Sequence, residues 1–463
     1  MNKVLKHPAW TPLVASLVLV LSGCASSDIR RAPELTVPAN WQQASQAAAG
    51  TGELGQRVSD RSAWWLALND PVLNQLVEQA QARNVNLAQA AVKVRRAQLV
   101  AGQAASDQLP SVAVQGNVSR ARQLDGGTTT QLNSVTGSVS WEVDLWGRLS
   151  SLRNAADWEA QATEFDRQAA SLSLSATVAN LYWQIAYLNQ RVAASEQSMD
   201  YARRTLTLVQ AQYGAGDAAG LELAQATQAL ATQQASHTQW LQQRVQARNA
   251  LAILLDAPPG TANDESLRLH DGALPSVNPG LPASVLNQRP DLQAAQLRLR
   301  KTLANVDAIR DSFYPRLTLT GSVGGTSTEL SQVLRDPVGT LGAGLLLPFV
   351  QWRDMQRSVA ISEADYEVAV LGLRQTWYQA LADVENALSA RQQYEDQGQQ
   401  LATAWQAAQT AERLSEARYR AGAVPLKTWL DAQEARRQAE NNLAQNRLSR
   451  LSALATLHQV LGG

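Results

Sequence analysis

Two long stretches that are almost free of helix breakers constrain this chain more than any other feature. The first, from Arg153 to Tyr213, contains neither proline nor glycine, and the second, from Val359 to Tyr419, contains two glycines and no proline. A helix of about 60 residues is roughly 90 Å long at ~1.5 Å per residue, whereas helices in globular proteins average about 10–14 residues. The sequence therefore predicts an elongated architecture built on two long helices.

The two long helices belong to two copies of one unit. Tyr213 in YGAGDAAGLELAQAT and Tyr419 in YRAGAVPLKTWLDAQ lie 206 residues apart, and prolines, glycines and tyrosines recur in the same order at about this spacing. Such recurrence is typical of an internal tandem duplication. A chance match among alanine-rich helices is the alternative, and the ordered recurrence argues against it. We assign the first repeat to residues 64–255, the inter-repeat connector to residues 256–289 and the second repeat to residues 290–463.

Each repeat is predicted to run helix, strand, strand, long helix, shorter helix. Apolar residues occupy every second position in four segments, and polar residues alternate with them in three, which indicates strands with one apolar face. A half-buried sheet in a soluble protein would show the same alternation. If the apolar face meets lipid, the sheet must close, because a bare edge in hydrocarbon leaves backbone groups unsatisfied. Four strands cannot close a barrel alone, so several chains must share one. The predicted strands are about 111–119, 135–146, 316–324 and 340–349, and the loops between them are 119–134 and 324–338.

The N-terminus predicts export from the cytoplasm. Two lysines precede an apolar run from Leu13 to Leu21, and LSGC follows. This order is typical of a secretory signal peptide, and the run is too short for a membrane-spanning helix. LSGC resembles the bacterial lipobox, so we expect a signal peptide at 1–23, a lipidated segment at 24–63, and N-acyl and S-diacylglycerol groups on Cys24. An ordinary secretory signal with an incidental cysteine is the alternative.

The composition and motifs argue against several classes of function. Lysine plus arginine and aspartate plus glutamate number 40 each, so no basic excess predicts binding to nucleic acid. The histidines, His7, His237, His270 and His458, have no spacing that suits a metal site. A glycine-rich phosphate loop and a nucleophile elbow are both missing from the sequence. The chain is therefore expected to be no enzyme and to need no metal or cofactor other than the lipid on Cys24.

Five motifs occur in order along the chain. They are WWLALNDPVLNQLVEQA (Trp64–Ala80), WEVDLWGR (Trp141–Arg148), NQRPDL (Asn287–Leu292), LPFV (Leu347–Val350) and YRAGAVPLKTWLDAQ (Tyr419–Gln433). Together with the lipobox and the duplication, they resemble the TolC-like outer membrane factors, most closely the NodT-type efflux lipoproteins. The resemblance covers about residues 30–460.

This resemblance implies an α+β membrane protein of the outer membrane. Three identical chains, with four strands each, would share a twelve-stranded β-barrel that continues into a long periplasmic α-helical barrel. The resemblance also implies the exit duct of a tripartite efflux pump, a passive gated channel that passes drugs, solvents or other small toxic compounds. Its partners would be a periplasmic adaptor, an inner-membrane transporter of the resistance-nodulation-division type, and outer-membrane lipid.

In that family, the two helix interruptions lie at the periplasmic tip. Gly216 and Gly422 match the turn glycine, and Pro425 fits a helix start at or near the first helical position.

Four residues near these turns are implied as gate residues. Asp431 falls on the position of an acidic constriction residue, and threefold symmetry would make it a ring of three carboxylates that attracts cations. Lys427 falls on a position that is often apolar or acidic in relatives. Glu222 matches a carboxylate that, in some relatives, bonds to the tyrosine corresponding to Tyr419. The alternatives are an exposed ion pair between Lys427 and Asp431, four residues apart on one helix, and a tyrosine that simply packs the turn.

Two other functions stay open at the level of sequence. One is the exit channel of a type I protein secretion system, and the lipobox favours efflux over it. The other is a lipid-anchored structural coiled coil that conducts nothing, and the two alternating hairpins argue against it. The transported compounds are not specified by the sequence, because in this architecture the inner-membrane pump selects them.

Overall fold

Two antiparallel helical hairpins are the largest features of the fold. The computed structural model describes residues 36–43, 61–270, 272–277, 279–280 and 282–462. In these residues the helices are α1 (Pro71–Arg83), α2 (Val85–Ser106), α3 (Arg148–Ala215), α4 (Gly220–Leu254), α5 (Pro282–Gln288), α6 (Pro290–Asp311), α7 (Trp352–Arg420) and α8 (Leu426–Val460), and the strands are β1 (Ser111–Arg122), β2 (Thr129–Val143), β3 (Arg316–Ser327) and β4 (Val338–Leu346). Short 3₁₀ turns lie at Arg61–Leu68, Leu330–Gln332 and Pro348–Val350. The predicted signal peptide and Cys24 lie outside the described residues.

The two long helices are slightly longer than the sequence predicts. α3 has 68 residues and α7 has 69, or about 100 Å each at ~1.5 Å per residue. α3 begins at Arg148 because the carboxylate of Asp144 accepts the N–H groups of Leu149 and Ser150, at 3.0 and 2.8 Å. Burial alone would raise the pKa of Asp144, but these hydrogen bonds lower it. Apolar runs of the length needed to take a helix across a bilayer are absent from the described helices.

The helix predicted at the start of the first repeat is divided in two at Asn84. The Asn84 N–H donates to the Ala80 carbonyl oxygen at 2.8 Å and ends α1. Its side-chain oxygen accepts the N–H of Leu87 at 3.1 Å and caps α2. Its side-chain amide also donates to the Leu254 carbonyl oxygen at 2.9 Å. One asparagine therefore connects α1, α2 and the end of α4.

The four strands form one antiparallel sheet in the order β1-β2-β3-β4. The central pair joins the two repeats, with Val139 opposite Gly321 and Val143 opposite Leu317. Within the part of the chain that the structure describes, no strand pairs with the outer edge of β1 or of β4. Both edges therefore carry unpaired backbone groups, and the sheet is open until other strands join it.

The strands continue further toward their hairpin loops than the alternation of apolar residues predicts. β1 continues to Arg122, which pairs with Thr129 at the start of β2. Ladder hydrogen bonds need only backbone groups, so pairing persists where the side chains are polar on both faces. The predicted loops 119–134 and 324–338 were therefore too long. The observed loops are 123–128 and 328–337.

The opposite ends of β2 and β4 stop earlier than predicted. β2 ends at Val143, where the chain turns toward the Asp144 cap of α3. β4 ends at Leu346, because Pro348 has no N–H to donate to a neighbouring strand and opens a 3₁₀ turn.

The largest buried cluster lies about half way along α3. Trp64 and Trp65 from the N-terminal 3₁₀ turn pack with Trp183 of α3, Leu251 of α4 and Leu454 of α8. Burying a large apolar side chain contributes about 1.5–3 kcal/mol. This cluster therefore fastens the N-terminal segment and both hairpins together at one level of the molecule.

Arg289, in the NQRPDL motif, fixes a second contact at this level. Its buried guanidinium donates to the carbonyl oxygens of Ala380 and Val460, at 3.3 and 3.2 Å. It also pairs with the carboxylates of Asp291 and Asp383, at 2.8 and 3.4 Å. Burial would lower the pKa of Arg289, but the two carboxylates raise it. The cation therefore stays charged while it joins α6, α7 and the end of α8.

Candidate functional site

The two helix interruptions lie side by side and have the same backbone geometry. Gly216 has a φ of +78° and Gly422 a φ of +71°, in the left-handed region that glycine adopts without steric cost. The Gly216 N–H donates to the Tyr213 carbonyl oxygen at 3.1 Å, and the Gly422 N–H donates to the Tyr419 carbonyl oxygen at 2.9 Å. Each glycine thus reverses the chain at the end of a long helix.

A second hydrogen bond completes each turn. The Asp217 N–H donates to the Gln212 carbonyl oxygen at 2.8 Å, and the Ala423 N–H donates to the Arg418 carbonyl oxygen at 2.9 Å. This pair of bonds around a left-handed glycine is the Schellman motif, which satisfies carbonyl groups at a helix end. The two turns are therefore equivalent atom by atom along their backbones.

The helices that follow the turns begin in different ways. Ala219 precedes α4, and its N–H donates to the Glu222 carboxylate at 3.1 Å. Pro425 occupies the equivalent place before α8, as the N-cap rather than the first helical residue, and the helix starts at Leu426. Proline has no N–H, so the second turn has no such donor to satisfy. Glu222 therefore serves the cap of its own helix.

A buried cluster lies directly behind both turns. Val209, Ala226, Leu426 and Trp429 are each at most 2% exposed and come from α3, α4 and α8. The Tyr419 ring stacks on the Trp429 ring with centroids 5.2 Å apart. The four helix ends are therefore held by one small core, independent of the large cluster near Trp183.

The Tyr419 hydroxyl group joins the two long helices. It donates to the side-chain oxygen of Gln212 at 2.9 Å. Burial raises the pKa of Tyr419, and the negative charge of Glu222 raises it further. The hydrogen-bond partner of Tyr419 is thus Gln212, whereas the Glu222 carboxylate binds the backbone of Ala219.

Lys427 and Asp431 form an ion pair on an exposed face of α8. The Lys427 Nζ lies 2.8 Å from each carboxylate oxygen of Asp431, and the side chains are 66% and 62% exposed. An exposed pair of this kind contributes only about 0.3–0.5 kcal/mol to stability. Its net charge is zero, so within one chain the Asp431 carboxylate is not a free negative charge.

A charged cleft between α3, α7 and α8, which the sequence did not reveal, lies above the turns. Its volume is about 440 Å³. Tyr201 of α3 donates to the Glu416 carboxylate at 3.1 Å, and Arg436 of α8 pairs with Glu412 of α7 and with Glu440 of its own helix. Burial and the negative charge of Glu416 raise the pKa of Tyr201 to about 12. The Tyr201–Glu416 and Arg436–Glu412 contacts join different helices, so helical spacing could not predict them, whereas Arg436 and Glu440 are four residues apart on one helix.

One serine–histidine pair lies between α3 and α4. The Ser195 Oγ lies 2.8 Å from the Val192 carbonyl oxygen and 2.7 Å from the Nδ1 of His237. When the hydroxyl proton is donated to the carbonyl oxygen, His237 donates to Oγ and is not its base. Among the described residues, no group of three or more potential ligands could hold a metal ion.

The duplicated hairpins and their paired tips match one protein family. The sequence profile of the outer membrane efflux protein family matches residues 76–256 and 281–463, one stretch in each repeat. The chain belongs to the outer membrane efflux protein family. This family consists of efflux channels, and catalysis is not its activity.

Individual relatives match over nearly their whole length. The chain is 33% identical to the pyoverdine export outer membrane protein OpmQ of Pseudomonas putida, over 99% of this chain and 97% of that protein. It is 29% identical to the toxin and drug export protein A of Aggregatibacter actinomycetemcomitans, over 89% of this chain and 90% of that protein. The solved outer-membrane channel OprN is 26% identical, with a TM-score of 0.82 over 95% of this chain and 99% of that one.

The family and the fold identify the oligomeric state of the protein and its location in the cell. The protein is a trimeric outer-membrane channel in which each chain adds four strands to a shared barrel, and the helices form the periplasmic tunnel. It serves as the outer-membrane exit duct of an efflux pump, together with an adaptor and an inner-membrane transporter. The bare edges of β1 and β4 are completed in this trimer, and the coiled-coil alternative is excluded.

Proposed function

We propose that this duct discharges small toxic or amphiphilic compounds, such as drugs and solvents, and that its transporter is of the resistance-nodulation-division type. The observation that carries the proposal is the likeness, over 97% of this chain, to channels named for antibiotic efflux and for toluene efflux, at 29% and 28% identity. The LSGC sequence ending at Cys24 supports it, since it resembles the lipobox of efflux lipoproteins. We further propose that the chain catalyses no reaction.

Deletion of the gene for this protein in its native host tests the proposal. Accumulation of a fluorescent pump substrate, such as ethidium, should rise several-fold, and wild-type protein supplied in trans should restore it. Deletion of the resistance-nodulation-division transporter alone should give the same rise. Unchanged accumulation and unchanged drug susceptibility in both strains would contradict the proposed cargo.

A second candidate is protein export through a type I secretion system. It is favoured by the 29% identity to a relative named for export of both toxin and drug. In the same deletion strain, comparison of secreted proteins by mass spectrometry separates the two functions. Loss of a secreted protein without a change in ethidium accumulation would establish the second candidate.

We also propose that the paired turns form the periplasmic gate of the tunnel. Three chains would gather three Lys427–Asp431 pairs around the axis, so the constriction would be lined by both signs of charge. Glu222 and Tyr419 would hold the turns in their closed arrangement, through the Ala219 cap and the Gln212 contact. In the proposed gate, Lys427 and Asp431 would thus line the opening, and Glu222 and Tyr419 would hold the turns behind it.

The lipid on Cys24 remains a proposal of its own. Peptide mass spectrometry of protein from native membranes should find an N-terminal Cys24 with three acyl chains. An unmodified N-terminus at another residue would show that the cysteine is incidental.

A further inference from the structure

The register of the sheet identifies the face that meets the membrane. Val112 of β1 lies opposite Val139 of β2, which lies opposite Gly321 of β3, which lies opposite Leu341 of β4. Directly opposed residues share a face, so this row belongs to one apolar face. The other face carries serine and threonine in the neighbouring positions, such as Ser138. Outer-membrane barrels place the apolar face toward lipid and the polar face toward the lumen.

On β1 and β3 the large apolar side chains of this face are too few to cover the membrane alone. On β3 they run from Leu317 to Val323, about 20 Å along the strand at ~3.4 Å per residue. With the usual strand tilt of about 40°, that is roughly 16 Å of height, whereas the apolar band of such barrels is about 25 Å tall. Beyond Val323, toward the hairpin loops, the same face of β2 and β3 turns polar, with Asn133 opposite Ser327.

The loop 328–337 folds back over this polar part of the face. The Asn133 side chain donates to the carbonyl oxygen of Thr328 at 3.1 Å and is 1% exposed. Val333 is 3% exposed, and its carbonyl oxygen lies where a Cβ on Gly325 would be, so only glycine fits there. The loop therefore lies against the lipid-facing side of the sheet and not across the lumen.

Two leucines of this loop remain on the surface. Leu330 and Leu334 are 65% and 70% exposed, on either side of the buried Val333. They add exposed apolar surface to a loop that covers the polar part of this face. The loop thus extends the apolar band toward its required height at the outer end of the barrel.

Two arginines occupy the same outward face at the outer end of β1. Arg120 and Arg122 continue the row of Val112, Val114 and Val118, because every second residue of a strand points to the same side. Both side chains are exposed, and neither guanidinium group has a hydrogen-bond or ion-pair partner among the described residues. The acidic residues of the two neighbouring loops are Asp125, Glu329 and Asp336, and Glu329 already accepts a hydrogen bond from Gln332 at 2.7 Å.

Arg120 lies opposite Gln131 of β2, two residues from the Asn133 that the loop covers. We propose that Leu330, Leu334, Arg120 and Arg122 together bind a lipid of the outer leaflet whose headgroup carries phosphate. The leucines would contact the acyl chains and the two guanidinium groups the phosphate, for which arginine has matching donor geometry. The surface is continuous with the face that meets the membrane, which is why a lipid fits it better than a protein partner. The proposal rests on the position of the barrel in the membrane and is independent of the compounds that the duct transports.

Native mass spectrometry of the detergent-purified trimer tests this site. Diphosphoryl lipid A and its dephosphorylated form are titrated separately, and inorganic phosphate is added as a competitor. The wild-type trimer should prefer the diphosphoryl form by about tenfold or more, since each basic residue near an anionic lipid surface contributes about 1 kcal/mol. Millimolar inorganic phosphate should not displace the lipid. Displacement would overturn the proposal in favour of a site for free phosphate.

Matched variants assign the preference to its residues. R120Q/R122Q should abolish the preference for phosphate, and R95Q/R96Q, which removes two exposed arginines of the periplasmic helix α2, should keep it. L330S/L334S should weaken the binding of both lipid forms equally. A preference that survives R120Q/R122Q, or that is lost equally in R95Q/R96Q, would overturn the proposal. If the double variant fails to give the trimer band on an unheated gel, R122Q alone should reduce the preference, and an unchanged preference would again overturn it.

Discussion

The two turns that follow the long helices have the same backbone geometry but different exposed side chains. The first turn has Leu221, which is 68% exposed, and the uncharged Gln225 at the positions where the second has Lys427 and Asp431. The left-handed glycines and the Schellman hydrogen bonds are the same in both. The backbone geometry is therefore what the duplicated fold requires, while the charged pair belongs to one repeat only. A function that depends on this pair of charges must reside in the second turn.

The first residues of α4 and α8 also differ between the two repeats. Glu222 has no counterpart in the second repeat, where Thr428 stands in its place and Pro425 replaces Ala219. A proline at this position removes the N–H that Glu222 satisfies. The carboxylate of Glu222 therefore accepts the one N–H that its own turn leaves free. The second turn has no such N–H, so it loses no hydrogen bond by lacking a carboxylate there.

The largest expected effect comes from splitting the charged pair. Asp431→Ala would leave three lysines at the proposed constriction and should shift the ion selectivity of the trimer toward anions, whereas Lys427→Ala would leave three carboxylates and should shift it toward cations. Reversal potentials in planar bilayers under a salt gradient measure the two shifts. Leu221→Ala, at the equivalent place in the first turn, should leave selectivity unchanged.

Equal selectivity in all three variants would show that the Lys427–Asp431 pair lies away from the conducting path. In that case the charged surface of the second turn would be a solvated ion pair only, and the gate would have to be sought in other residues.

The next largest effect concerns the core behind the turns. Trp429→Ala should lower the free energy of unfolding by about 3–5 kcal/mol, because it empties a buried site against Tyr419 and Tyr201. Leu223→Ala, at the equivalent place in α4, should cost clearly less because Leu223 is only partly buried. Circular dichroism during denaturant unfolding of the trimer in detergent compares them. Similar losses would mean that the two turns share the core evenly.

The smallest expected effect separates the two helix starts. Glu222→Gln should lower the free energy of unfolding by about 0.5–1 kcal/mol, since it weakens a hydrogen bond and removes a negative charge at a helix N-terminus. The same substitution in an Ala219→Pro background should cost less, because the proline leaves no N–H to satisfy. An equal cost in both backgrounds would mean that Glu222 acts elsewhere, for example on Tyr419. Thermal unfolding of the four proteins, compared as a double-mutant cycle, gives the result.

Features with a local cause could be predicted from the sequence. Gly216 and Gly422 mark the turns because only a left-handed residue closes a helix in this way, and the alternation around Val139 and Leu319 marks the strands. The extents of β1 and β2 toward their shared hairpin loop were underestimated because backbone pairing continues through polar side chains. Tyr201 contacts Glu416 from a segment far away in sequence. Val333 contacts Gly325 from an irregular loop. Neither contact produces a periodic pattern that the sequence could reveal.

The open edges of β1 and β4 also determine how copies of this protein depend on one another. A single protomer would present unpaired backbone groups to lipid, so membrane insertion requires three competent chains together. A copy that folds its helices but has a damaged strand edge would still join trimers, and the shared barrel of those trimers could not close. In a cell that makes normal and damaged copies in equal amounts, about one trimer in eight would contain normal chains only, if the copies mix at random in a symmetric trimer. Such a variant would therefore be dominant over the wild type.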